Sequence, residues 1–167
     1  MDSGEIVTYG DPVLRSRAEQ IDHFDDDIRD LIERMHQVMA ESRGLGLAGP
    51  QVGVAKRIFV YDVGEGRHAL VNPRIVRATG EEVGAEGCLS IPGLQGEVPR
   101  ALKVTITGLD ENGKKVKIKA EGMLARVFQH EMDHLDGTMF IDRADPDTLE
   151  TIAVTEGDEE GTGGPAL

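Results

Sequence analysis

Residues 121–137 read EGMLARVFQHEMDHLDG, and this stretch decides the architecture. Met123, Val127, His130 and His134 recur at helical spacing. That spacing predicts a helix from Glu121 to about Leu135, stopped at Gly137. Histidines at i and i+4 lie about one turn apart on one face, so both imidazoles reach one metal ion. Glu131 stands between them and reaches a water held there without being a ligand. The pair continues the apolar side of Met123 and Val127 and so faces inward, where unpaired rings would be costly. A bare match of five residues also fits two surface histidines on an acidic helix.

Outward from this helix the chain alternates between strands and glycine-rich turns. Ile58 to Val63 and His68 to Asn72 are strands, the second ended by Pro73, and another begins near Ile75. Lys103 to Thr107 and Lys115 to Ala120 form a hairpin about Asp110-Glu111-Asn112-Gly113. Thr138 to Ile141 is a short strand candidate. From Ile28, the residues Leu31, Ile32, Met35, Val38 and Met39 mark a helix. It begins near Asp25–Asp27, runs to about Ser42 and stops at Gly44. Gly44 to Gln51 is too glycine-rich for a helix and reads as tightly folded backbone. Residues 1–24 read as an irregular entry segment.

These elements predict an α+β fold. It is a single compact domain of mainly antiparallel sheets around the C-terminal HExxH-bearing helix, with the N-terminal helix packed outside. The domain spans residues 1–142, and 143–167 form an acidic, partly disordered tail whose last dozen residues are disordered.

The chain has 167 residues, enough for one core. Its formal net charge of −13 argues against direct nucleic-acid binding and docking to an anionic membrane. From Asp142 onward there are eight acids and one base, so residues 142–167 carry over half of that charge. With Cys88 as the single cysteine, no intramolecular disulfide forms and a reducing compartment is expected. No secretory signal and no run of 18 apolar residues is present, so a cytoplasmic location is expected.

Cys88 is the obvious third anchor for a metal, since its thiolate suits zinc or iron(II). A small buried hydrophobe is the other role open to it. Gly87 permits close backbone approach, and Leu89 offers an N–H beside the ligand. One cysteine and two histidines leave a coordination position open, as catalytic sites do.

Three segments together resemble the peptide deformylase family. They are Gly44-Leu45-Gly46-Leu47-Ala48-Gly49-Pro50-Gln51, Glu86-Gly87-Cys88-Leu89-Ser90, and Gln129 to Gly137. The second and third match the family's signatures completely. The first departs at Gly49, where the family usually has alanine. The resemblance covers roughly residues 5 to 142.

The resemblance implies hydrolysis of the formyl group from N-terminal formylmethionine of new polypeptides, releasing formate. Cys88, His130 and His134 would be the metal ligands, with iron(II) favoured and zinc or nickel as alternatives. Glu131 would be the proton-transfer residue, with Gln51 and the Leu89 N–H stabilising the oxyanion. Gln51 is also suited to capping nearby backbone. Gly46 and Leu89 would bind substrate backbone in extended form, and Leu45, Met123 and Val127 would line the methionine pocket. Glu86 and Arg100 would pair to hold the Cys88 loop, while Asp133 suits orienting a ligand imidazole. Arg126 stands at a position often aliphatic in the family; two roles are open to it, covering the pocket with its stem while its charge reaches water, or favouring an acidic feature of the substrate.

The implied partners are formylmethionyl nascent peptides and, transiently, the ribosome; a monomer is expected. Three other readings fit the residues. One is a metallohydrolase of the same fold acting on another formyl- or acyl-amide. Another is a non-catalytic metal-stapled binding module; a third, structural reading puts the weight on the acidic tail as an interaction arm.

Overall fold

The first long helix, α1 (Asp26–Ser42), starts where the Asp25 carboxylate accepts the Ile28 N–H. Asp26 and Asp27 then complement the positive end of the helix dipole. In this computed structural model, which describes residues 6–152 and 166–167, α1 runs to Ser42 as its apolar stripe predicts, and the cap falls on Arg43, one residue before Gly44. Arg43 takes the left-handed conformation, with φ 59°. Gly44 is small for another reason: a Cβ there would lie 2.6 Å from the Leu89 side chain.

Two antiparallel sheets follow. The first contains β1 (Gly46–Ala48), β2 (Ile58–Tyr61), β3 (His68–Thr79), β6 (Lys103–Leu109) and β7 (Lys115–Glu121), in the order β1-β2-β3-β6-β7. The second contains β4 (Glu82–Cys88), β5 (Ile91–Arg100) and β8 (Glu150–Thr151), with β5 in the middle. The second long helix, α2 (Met123–Leu135), follows β7.

The five-stranded sheet is covered on both faces. Along β2, Phe59 and Tyr61 share a cluster with Val127, Phe128 and Leu135 of α2. Ile58 and Val60 share the other cluster with Leu31, Met35 and Met39 of α1. Side chains alternate across a strand, so one fully apolar strand serves two helices. Lys115, Lys117 and Lys119 project from the outer strand β7, where charge discourages pairing with another chain.

Several elements differ from the expected ones. Gly44–Gln51 is more regular than expected: it supplies the edge strand β1 and a 3-10 turn, Gly49–Val52. Pro73 does not end its strand, because β3 runs through it. The register shifts between Val71 and Arg74. Asn72 (φ 52°) exchanges two side-chain hydrogen bonds with the Ile21 backbone there. A proline is tolerated at such a bulge because no ladder donor is required. Thr138–Ile141 is not a strand. Asp142 accepts the Met139 N–H and closes a 3-10 turn, Phe140–Asp142.

Beyond Asp142 the packed chain continues through β8, and Ala144 is buried with Cys88, Val98 and Phe140. The disorder expected of the last dozen residues falls mainly outside the described residues. Leu167, however, is 2% exposed and held by backbone hydrogen bonding, so disorder does not extend to it. Among the described residues no helix is long and apolar enough to cross a membrane.

Candidate active site

Met123 does not share the buried side of α2 with Val127, His130 and His134. Met123 opens the helix and is 50% exposed, whereas Val127, His130 and His134 are buried. Cys88 is brought to the histidines by the last residue of β4, where a register shift between Gly87 and Cys88 re-aims the chain. Its Sγ lies 3.3 Å from His134 Nε2. One candidate ligand atom from each of Cys88, His130 and His134 lies within 4.8 Å of the others.

The polar atoms of this cluster fit a divalent transition metal. His130 Nδ1 donates to Glu86 Oε1 at 2.9 Å, which leaves Nε2 as the lone-pair nitrogen. That Nε2 is buried and has no hydrogen-bond partner among the described residues. Burial pushes His134 well below the ordinary histidine range, keeping its ring neutral. Burial also pushes the Cys88 thiol up to about 12. Two neutral imidazoles and a sulfur facing one another in a buried site are the donor set a divalent transition metal satisfies.

Glu131 is fully buried beside this cluster, and neither carboxylate oxygen has a partner among the described residues. Burial raises its pKa well above the ordinary value, reinforced by the charge of Glu86 and opposed by Arg100. Its carboxylate rests against β1: a Cβ on Gly46 would lie 2.6 Å from Oε2. Gly44 and Gly46 are therefore places of close approach, to Leu89 and to Glu131 respectively. Gln51 has both of its expected uses in view. Its Oε1 accepts the Ala48 N–H at 3.0 Å. Its Nε2 donates to Ser90 Oγ at 3.1 Å and lies 3.6 Å from Cys88 Sγ. Leu89 occupies the turn between β4 and β5, next to Cys88.

A buried ion-pair network backs the cluster. Arg100 clasps Glu86 through Nε and Nη2, at 2.8 and 2.9 Å. Arg126 adds a third donor at 2.7 Å, and His130 a fourth. Burial alone would raise the Glu86 pKa, but the bonds from Arg100 and His130 outweigh it and hold the carboxyl well below its usual range. Asp133 accepts from Arg100 at 2.7 Å and from Arg143 at 2.6 and 2.9 Å.

Residues 3–150 match the family model described as polypeptide deformylase. The chain belongs to that family. A peptide deformylase from Carboxydothermus hydrogenoformans is 51% identical over 141 residues, covering 84% of this chain and 93% of the relative. The crystal structure of peptide deformylase from Thermotoga maritima superposes with a TM-score of 0.83 at 45% identity, covering 85% of this chain and 97% of that one. A deformylase from Synechococcus elongatus in complex with actinonin has the same TM-score at 44% identity, covering 84% of this chain and 78% of that one.

In this deformylase two side chains depart from their expected places. Arg126 does not reach water; it is 4% exposed, and its guanidinium donates to Glu86 and to the Val98 and Glu82 carbonyls. The pocket-covering arrangement expected of it is absent, because a deeper anion claims the charge. The Asp133 carboxylate accepts from Arg100 and Arg143, and the imidazole contact expected of it is made by Glu86 on His130. Ser90 and Arg143 also enter the site and were not singled out from sequence. Ser90 carried a signal as the last residue of the cysteine signature; Arg143 carried none.

Proposed function

We propose that this deformylase hydrolyses the N-formyl group of formylmethionyl peptides through the Cys88, His130 and His134 cluster, with Glu131 moving the proton. The observation that carries the assignment is the unpartnered, buried Glu131 carboxylate set beside the sulfur–nitrogen–nitrogen triad. A divalent ion held by the triad supplies Lewis-acid chemistry, activating water and polarising the formyl carbonyl. Iron(II) is the preferred ion, and zinc and nickel suit the same donors.

Glu131 accepts a proton from the attacking water as its oxygen bonds to the formyl carbon. Negative charge then develops on the former carbonyl oxygen. The Gln51 amide, already braced by Ala48, and the Leu89 N–H stabilise it without reorganising. Glu131 returns its proton to the amine as the carbon–nitrogen bond breaks, leaving formate and a free N-terminus. Leu45 and Val127 share an apolar cluster beside the triad and form the floor for the methionine side chain, with half-exposed Met123 at its rim. Gly46 and Leu89 bind the peptide backbone. The enzyme works as a cytoplasmic monomer that meets nascent chains at the ribosome.

Formate release from formyl-Met-Ala-Ser by anaerobically purified, iron(II)-loaded protein tests the assignment. Glu131→Gln should lose at least ~100-fold in kcat while retaining its metal. No release from a filled site would reject the substrate, and acetate release from acetyl-Met-Ala-Ser at an equal rate would reject the formyl preference.

A further inference from the structure

The last two residues of the sequence lie beside the triad. The Leu45 N–H donates to the Ala166 carbonyl at 3.0 Å, and the Leu167 N–H donates to the Gly87 carbonyl at 3.2 Å. Leu45 immediately precedes the edge strand β1, and Gly87 is the penultimate residue of β4 in the other sheet. The dipeptide therefore bridges the two sheets, held by backbone groups on either side. These two backbone groups are immediate neighbours of functional positions. Leu45 precedes Gly46, which abuts Glu131, and Gly87 precedes Cys88.

The Leu167 side chain is buried in the apolar cluster that holds Val127, with Leu45 and Leu124 packed against it. Leucine and methionine are close in volume and exchange readily in apolar sites. A short stretch of chain with a methionine-sized side chain, hydrogen-bonded on both sides, satisfies the requirements of an extended substrate.

We infer that Ala166–Leu167 is an intramolecular occupant of the substrate groove, with Leu167 in the place of the substrate methionine. It acts as a built-in competitive brake. The inference rests on the groove assignment proposed above. A substrate must displace the dipeptide, so its apparent affinity is reduced by the fraction of molecules in which the groove is open. The chemistry is untouched once substrate is bound. The brake therefore raises KM and leaves kcat unchanged.

Two full-fold variants test this: Leu167→Asp, and deletion of Ala166–Leu167. Both should lower KM for formyl-Met-Ala-Ser by about tenfold, as removing nine-tenths occupancy requires, with kcat unchanged. Leu167→Met should keep the wild-type KM. The free peptide Gly-Gly-Pro-Ala-Leu should inhibit the deletion variant competitively. Calorimetric binding of the product peptide Met-Ala-Ser should tighten by the same factor, independently of turnover. A common KM in wild type and both variants, with formate released by all, overturns the brake and leaves the deformylase assignment standing. Tighter Met-Ala-Ser binding by the variants with no formate from any of them does the reverse.

Discussion

Gly49 stands where a methyl group has no room. A Cβ there would lie 2.8 Å from the Val54 carbonyl oxygen and 2.9 Å from that of Lys56. Both are backbone atoms, which cannot turn aside as a side chain does. Restoring the family's usual alanine should therefore destabilise this chain by about 1–3 kcal/mol, as overpacking does. In a protein of this size that lowers Tm by roughly 2–4 °C per kcal/mol, which calorimetry reads directly. Arg126 makes the complementary case. Arg126→Met removes three donors from Glu86, Val98 and Glu82 and should cost about 2 kcal/mol in urea unfolding. Metal content should persist, because Arg100 and His130 still hold Glu86. A variant as stable as wild type would show that the buried guanidinium contributes no net stability. His130, Glu131 and His134 were legible in sequence because one helical turn relates them. The partner of Arg126 was not, because 40 residues separate it from Glu86 and an arginine stem fits a pocket wall equally well.

At the scale of elements, amphipathic helices were the most legible and glycine-rich strands the least. The stripe from Leu31 to Met39 located α1 because one face packs on a sheet. The stretch from Glu82 to Gly96 lies largely in two paired strands although glycine and Pro92 are poor strand formers. Antiparallel partners and close packing override weak local propensity there. For instance, a Cβ at Gly96 would lie 2.6 Å from the Leu149 side chain. Helix α1 also carries a buried titratable group, His36, whose Nδ1 has no hydrogen-bond partner among the described residues. Burial lowers its pKa, helped by the charge of Arg67 and opposed by Glu33, Glu111 and Asp62. A histidine whose folded pKa lies below its unfolded value of about 6.5 stabilises the fold fully above that pH. The contribution is lost as pH falls through the folded pKa, at no more than about 1.4 kcal/mol per pH unit. Urea midpoints of wild type should drop between about pH 7 and pH 5 by more than those of His36→Leu. Parallel pH profiles would show that α1 admits the charged ring without penalty.

Across the whole molecule, the three candidate ligands belong to different layers. Cys88 ends β4 in the three-stranded sheet, while His130 and His134 belong to α2, which packs on the five-stranded sheet. Glu86 and Arg100 of the small sheet reach the same helix through His130 and Asp133. The division into two sheets was not legible in sequence, since it depends on which glycine-rich strands pair. Its consequence is mechanical: an ion bound by all three ligands ties the layers together and binds the folded state in preference to the unfolded one. At a free-ion concentration about 1,000 times Kd, that preference stabilises the fold by about 4 kcal/mol. At roughly 2–4 °C per kcal/mol, anaerobic chelation should lower Tm by about 8–16 °C, and reloading with iron(II) or zinc should restore it. Glu131→Gln should keep this shift, because Glu131 lies outside the Cys88, His130 and His134 triad. Cys88→Ser should shrink it by breaking the link between the sheets. Equal melting of stripped and loaded protein would mean that the triad does not hold the ion. An undiminished shift in Cys88→Ser would place the staple within α2, on the two histidines.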